Sequence, residues 1–318
     1  MKKLLSVVLV LVMVFSFAAC GTQDEGVNLQ ILIEEDQSMI NTYSLLAVDP
    51  AAPFVDAEQN SVPDVTLNTE GADALYKWFH TQEAADLIKD YGVEEYEDHL
   101  FYNLDGATLI EEEIPKATEE TKTIRLSTTT SVNDSGLLAY MIPKFKEKYG
   151  YEVEVFSAGT GKAIANAQCG NADLILVHSK SQEEAFVNAG FARVVDGFDA
   201  ERASFMYNYF VLCGPKEDPA AVAEAEDVLA AFNAIAAGEY KFVSRGDVSG
   251  THTKELTLWP ADLGITVEAE SFADYTEWYI SSNAGMGACL LQASEEGAYI
   301  LSDKATFLTF VKNNGVIE

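Results

Sequence analysis

Three short polar stretches bring together the residue types that hold a small anion. They are Ser127-Thr128-Thr129-Thr130-Ser131, running on to Ser135-Gly136; Ser157-Ala158-Gly159-Thr160-Gly161-Lys162; and Ser244-Arg245-Gly246-Asp247-Val248-Ser249-Gly250-Thr251-His252. Each follows a run with strand character and precedes a helical pattern. Each therefore offers free N–H groups at a helix start, hydroxyl donors, and a glycine that lets backbone approach a ligand. A single turn of this kind is also what ordinary Ser/Thr N-capping produces. Three of them, one with an arginine, make a stronger pattern. The Arg245 guanidinium is a fork of donors matched to oxyanion oxygens, and its alternative partner is one of the many surface carboxylates. Asp247 has two possible roles. If it points into the site it favours a protonated anion, which needs an acceptor, and if it braces Arg245 it does not.

Other chemistries lack their signatures. The sequence has neither the G-x-x-x-x-G-K-[ST] phosphate loop nor G-x-G-x-x-G, and no G-x-S-x-G nucleophile elbow. His80, His99, His178 and His252 are too scattered for a metal motif, and His178 reads as structural. Cys169, Cys213 and Cys289 show no C-x-x-C spacing and read as buried, inert thiols. Trp78, Trp259 and Trp278 read as packing. A secreted enzyme acting on phosphate or sulfate esters would use similar loops, but it also needs a nucleophile with a base, or clustered metal carboxylates. No cofactor and no metal are expected.

The elements that must position the three turns follow from periodicity. Thr123 to Leu126, Tyr151 to Phe156, Leu174 to Val177 and Tyr240 to Val243 read as strands. Ser127 to Ser135 reads as a turn. Ser135 to Tyr149 reads as a helix that Pro143 must kink or restart, and Lys162 to Cys169 as a short helix. Strand, turn, helix in repetition is the pattern of a parallel α/β sheet, whose ligands bind at the carboxyl ends of its strands. Upstream, Leu29 to Ile33 and Tyr43 to Val48 read as strands and Glu70 to Tyr91 as one amphipathic helix stopped by Gly92. Leu104 to Lys122, rich in Glu and Thr, reads as a linker.

The first residues set the compartment. Met1-Lys2-Lys3, the apolar run Leu4 to Phe17 and Ala18-Ala19-Cys20 have the layout of a lipoprotein signal, with Cys20 acylated after processing and the protein held at the cell membrane from outside. The net charge of -31 argues against nucleic acid, whose binding needs a basic footprint. It does not forbid an anion ligand. Surface carboxylates are screened beyond about 8–10 Å, and backbone N–H groups and hydroxyls can hold a buried anion.

Taken together, Thr128-Thr129-Thr130-Ser131, Gly159-Thr160-Gly161, Leu176-Val177-His178, Met206-Tyr207-Asn208-Tyr209-Phe210, the Ser244 to His252 turn and Gly285-Met286-Gly287-Ala288 resemble the tungstate-binding proteins of ABC importers, in order and at similar spacing. The resemblance covers roughly Thr123 to Phe310. It implies a two-lobe, periplasmic-binding-protein-like (type II) fold that closes by a hinge, is expected to be monomeric, and delivers its ligand to a membrane permease. It also implies an oxyanion site of Thr129, Thr130, Ser131, Gly159 and Thr160 from one lobe and Arg245, Ser249 and Thr251 from the other. Phosphate or molybdate is the alternative ligand.

The order of the ends departs from the family. Segments like Asn41 to Pro50 and Glu70 to Tyr91 come last in the family and first here, which implies a circular permutation with Glu318 near Val27 in space. The expected organisation is 1–20 signal, 21–28 anchor linker, 29–103 the family's C-terminal part in the first lobe, 104–122 the acidic bridge between the family's original ends, and 123–318 the remainder of both lobes.

Overall fold

The computed structural model of the protein describes residues 26–315; the signal segment, Cys20 and Glu318 lie outside them. The chain opens with β1 (Gln30–Ile33), β2 (Ile40–Val48), α1 (Thr69–Phe79), α2 (Gln82–Asp90), α3 (Val93–Tyr96) and β3 (Tyr102–Asn103). It continues with β4 (Thr123–Thr129), α4 (Thr130–Asp134), α5 (Leu137–Tyr149), β5 (Glu152–Ala158), α6 (Thr160–Gln168), β6 (Leu174–Val177), α7 (Lys180–Asn188) and β7 (Ala192–Arg193). β8 (Arg202–Gly214), α8 (Val228–Ala237), β9 (Phe242–Ser244), α9 (Gly250–Leu256), β10 (Tyr279–Ser281), α10 (Met286–Glu296), β11 (Tyr299–Asp303) and α11 (Lys304–Asn314) follow.

One long strand connects two sheets. β8 runs for 13 residues. Its first half pairs antiparallel with β2, Asn41 opposite Asn208, and its second half with β11, Ile300 opposite Cys213. On one side β6, β4 and β5 continue the sheet in parallel, and on the other β11, β9 and β10 do the same. Parallel strands are buried on both faces, which is why Leu174–Val177 is an uninterrupted apolar run. In the first lobe Leu75, Trp78, Leu126 and Phe145 fill one face, and Leu46, Ala163, Ile175 and Phe186 the other. In the second lobe Phe232, Phe242, Trp259 and Trp278 fill one face, and Cys213, Leu290, Ile300 and Phe307 the other.

Several expectations need correction. Glu70 to Tyr91 is two helices, because Thr81 caps a new one: its Oγ1 accepts from Ala84 N at 3.2 Å while its hydroxyl donates to Trp78 O at 2.7 Å. The stretch Ser127 to Ser135 is not all turn. β4 runs on to Thr129 in register with β5, and α4 begins at Thr130. Pro143 lies within α5, which continues as one helix to Tyr149. Cys213 and Cys289 are buried thiols as expected, but Cys169 is only half-buried.

The domain boundaries also shift. Val27 is not linker: it is buried, and its N–H donates to Gly315 O at 2.9 Å. β1 pairs with the distal half of β8, Gln30 opposite Gly214, and Leu29 packs with Cys213, so the front of the 29–103 segment belongs to the second lobe. Between β3 and β4 the acidic stretch is without helix or strand, yet it is tied down. Ile110 N donates to His80 O and Ala117 N to Tyr149 O, both at 2.8 Å, and Ile114 is buried.

Candidate functional site

All three polar turns fall where the sequence places them, at carboxyl ends of parallel strands and at helix starts. Thr129 ends β4 directly beside Ala158 at the end of β5, so the first two turns are neighbours in the first lobe. The third leaves β9 in the second lobe and enters α9, where the Ser249 hydroxyl accepts from His252 N at 3.3 Å. The two lobes are in contact here. A Cβ on Gly159 would lie 3.7 Å from Asp247 Oδ2, and one on Gly250 only 2.5 Å from the His178 ring. Glycine at 250 therefore permits a backbone approach that any side chain would block.

Burial and orphaned polar atoms coincide at the predicted residues. Thr129, Ser131, Thr160, Arg245, Ser249 and Thr251 are buried. Thr130 Oγ1, Thr160 Oγ1, Thr251 Oγ1 and Arg245 Nε are buried with no hydrogen-bond partner in the protein. Buried polar atoms are nearly always paired, because an unpaired one costs about 1–3 kcal/mol. Four such atoms from three turns in two lobes fit a polyatomic anion accepting from each. Thr129 and Ser131 differ from expectation, since each is already engaged. Their hydroxyls lie 3.1 Å apart, Thr129 Oγ1 accepts from Val132 N at 3.4 Å, and Ser131 Oγ lies 3.0 Å from His178 Nε2.

Asp247 braces Arg245. Its Oδ2 accepts from the guanidinium Nη2 at 2.5 Å and its Oδ1 accepts from Ser249 N at 3.1 Å, so both oxygens have protein partners. The loop that achieves this is backbone-strained. Gly246 and Val248 both have positive φ, 63° and 57°, and for a β-branched residue that is a costly conformation.

The sequence reading understates His178. Its Nδ1 lies 2.8 Å from Asn41 Oδ1, and Asn41 in turn donates to Asn208 Oδ1 at 2.9 Å and to the Tyr43 hydroxyl at 2.8 Å. Burial, and then the Arg245 charge, push the His178 pKa down to about 3, so the ring is neutral at pH 7. Asp303, which caps α11 by accepting from Thr306 N at 2.9 Å, is pushed up to about 6 by burial, with Arg245 working against the rise. His80 is core, stacked on Tyr76, and His99 bonds Lys89 O at 2.7 Å, both far in sequence from the turns. Trp78, Trp259 and Trp278 are buried, as packing residues are.

Two α/β lobes joined through β8, with unpartnered buried donors at the strand ends of both, have the arrangement of a solute-binding fold. The chain belongs to the PBP superfamily: residues 116–317 match the PBP superfamily domain. Among curated relatives, it is 42% identical over 201 residues to the tungstate-binding protein TupA of Peptoclostridium acidaminophilum, covering 63% of this chain and 65% of that protein. It is 42% identical over 193 residues to a putative ABC transporter anion-binding protein of Haloferax volcanii, covering 61% and 52%. The chain thus spans less than two thirds of either relative's length. Among solved structures, that of the tungstate ABC transporter from Geobacter sulfurreducens is similar at 38% identity and a TM-score of 0.51, covering 61% of this chain and 77% of that one.

Proposed function

We propose that this chain is the extracytoplasmic solute-binding protein of an ABC importer and captures tungstate between its lobes without turnover. The observation that carries this is the set of unpartnered, buried donors on Thr130, Thr160, Thr251 and Arg245, drawn from both lobes. The tungstate-binding relatives, 42% and 38% identical, supply the ligand and the permease as partner. Gly159 and Ser249 stand beside these donors at helix starts, and Thr129 and Ser131 shape the first turn. Tungstate is favoured over phosphate because Asp247 braces Arg245 and Ser249 N, the role that suits an anion needing only donors. Phosphate and molybdate remain the ligands to test against it.

The signal-like start and Cys20 support a lipid-anchored protein outside the cell membrane, and a monomer is part of the same proposal. The permuted order belongs to the same proposal. The hydrogen bond from Val27 to Gly315 sets the two ends of the described chain side by side, and β2 from the front segment occupies the middle of the sheet, between β6 and β8. Equilibrium dialysis of the chain from Gly21 onward against tungstate, read by elemental analysis, tests the binding role. One tungsten per chain, retained against excess sulfate, is the expected result. No retained metal would reject tungstate as the ligand.

A further inference from the structure

The hydrogen bonds between the first turn and strands β2 and β8 form a chain with a single direction. Asn208 Oδ1 accepts twice, from Asn41 Nδ2 at 2.9 Å and from the Tyr43 hydroxyl at 3.1 Å. Asn41 spends its amide nitrogen on Asn208 and Tyr43, so its Oδ1 is the acceptor facing His178 Nδ1 at 2.8 Å. A neutral imidazole carries one N–H and one lone pair. With the N–H on Nδ1, the lone pair on Nε2 takes the Ser131 hydroxyl proton at 3.0 Å. Ser131 Oγ then accepts from Thr129, whose own oxygen takes the Val132 N–H. Every proton in the series points from Thr129 towards Asn208.

The chain ends on a donor. Asn208 is fully buried, its Oδ1 is fixed inward by two donors, and its Nδ2 has no partner. It sits opposite Asn41 where the lobes join, two residues before Phe210, whose strand partner Asp303 feels the Arg245 charge. We propose that Asn208 is a further oxyanion-binding residue, its Nδ2 turned to the ligand by the directed chain through Asn41 and His178. On this account Thr129 and Ser131 act as positioning residues, because their hydroxyl protons are committed inward. This rests on the tungstate reading of the same site. It adds one more donor to a shell that a fully deprotonated anion needs to be all donors.

Calorimetric titration of the wild-type chain and of Asn208→Asp with tungstate tests the proposal. The substitution keeps the oxygen that Asn41 and Tyr43 address and replaces the free donor by an acceptor. A folded Asn208→Asp should bind tungstate at least about 10-fold more weakly, the scale of one hydrogen bond to a charged group. In parallel, the side-chain amide resonances of Asn208 in the wild-type protein should shift when tungstate is added. If Asn208→Asp does not fold, the resonances decide alone. Wild-type binding with an unshifted Asn208 amide, or a folded variant within about 3-fold of wild type, would overturn the role of Asn208 and leave the tungstate reading standing. A wild type silent to tungstate would remove both.

Discussion

In the proposed site Arg245 is the residue that would balance the ligand's charge. It is buried, it is held by Asp247 at 2.5 Å, and its Nε has no protein partner. Arg245→Ala should weaken tungstate binding by more than about 1.5 kcal/mol, the usual scale for a lost hydrogen bond to a charged group. Titration of the variant checks this, and an unchanged affinity would remove Arg245 from the site. At this scale the sequence shows which residue types stand at the strand ends, but not what each side chain touches. Hydroxyls and glycines at helix starts are visible as residue types, so Thr130, Thr160, Arg245 and Thr251 could be picked out. The engagement of Thr129 and Ser131 was hidden, because it depends on His178 arriving from another strand 47 residues away. Asn41 and Asn208 were equally hidden as a pair: nothing local announces that residues 167 apart face each other across two strands.

Among the elements, α9 links the site to the core of the second lobe. Glu255, near its end, is buried and accepts from Trp259 Nε1 at 3.1 Å and from the Tyr279 hydroxyl at 2.8 Å, tying α9 to β10. Burial pushes its carboxyl up to about 7. A carboxyl with a raised folded pKa binds more protons when folded than unfolded. Its contribution to stability is therefore full below the ordinary carboxylate range and is lost as pH rises through about 7. Glu255→Gln keeps the accepting oxygen and cannot ionise. Its melting temperature relative to wild type should climb between pH 5 and pH 8, and thermal unfolding across that range measures it. A difference that stays constant with pH would show that Glu255 does not titrate there. The elements themselves were legible wherever apolar periodicity set them, as for β6 and α5. They were missed where a single side-chain cap decided the outcome, as Thr81 does between α1 and α2.

At the scale of the whole molecule, the front of the chain is built into the centre of the fold. β2 lies at the front of the sequence but in the middle of the sheet, and Val27 meets Gly315. The chain from Val27 onward can therefore be recast with its last residues joined by a short linker to Val27 and new ends opened between Leu104 and Lys122, where no helix or strand would be cut. Surface ends close together tolerate such changes. The recast protein should fold and bind tungstate within about 3-fold of the native order, as unfolding and titration would show; failure to fold would contradict the permutation account. The parallel α/β pattern was readable from the sequence alone, whereas the assignment of β1 to the second lobe was not, because a four-residue strand does not encode its partner.

On the proposed function the two lobes close on tungstate. Calorimetric titration of the chain from Gly21 onward with tungstate, molybdate, sulfate and phosphate tests it most directly. The account predicts tight one-to-one binding of tungstate, with sulfate and phosphate silent. Phosphate binding in preference to tungstate would contradict the assigned ligand while keeping the binding role, and silence from all four would contradict the account as a whole.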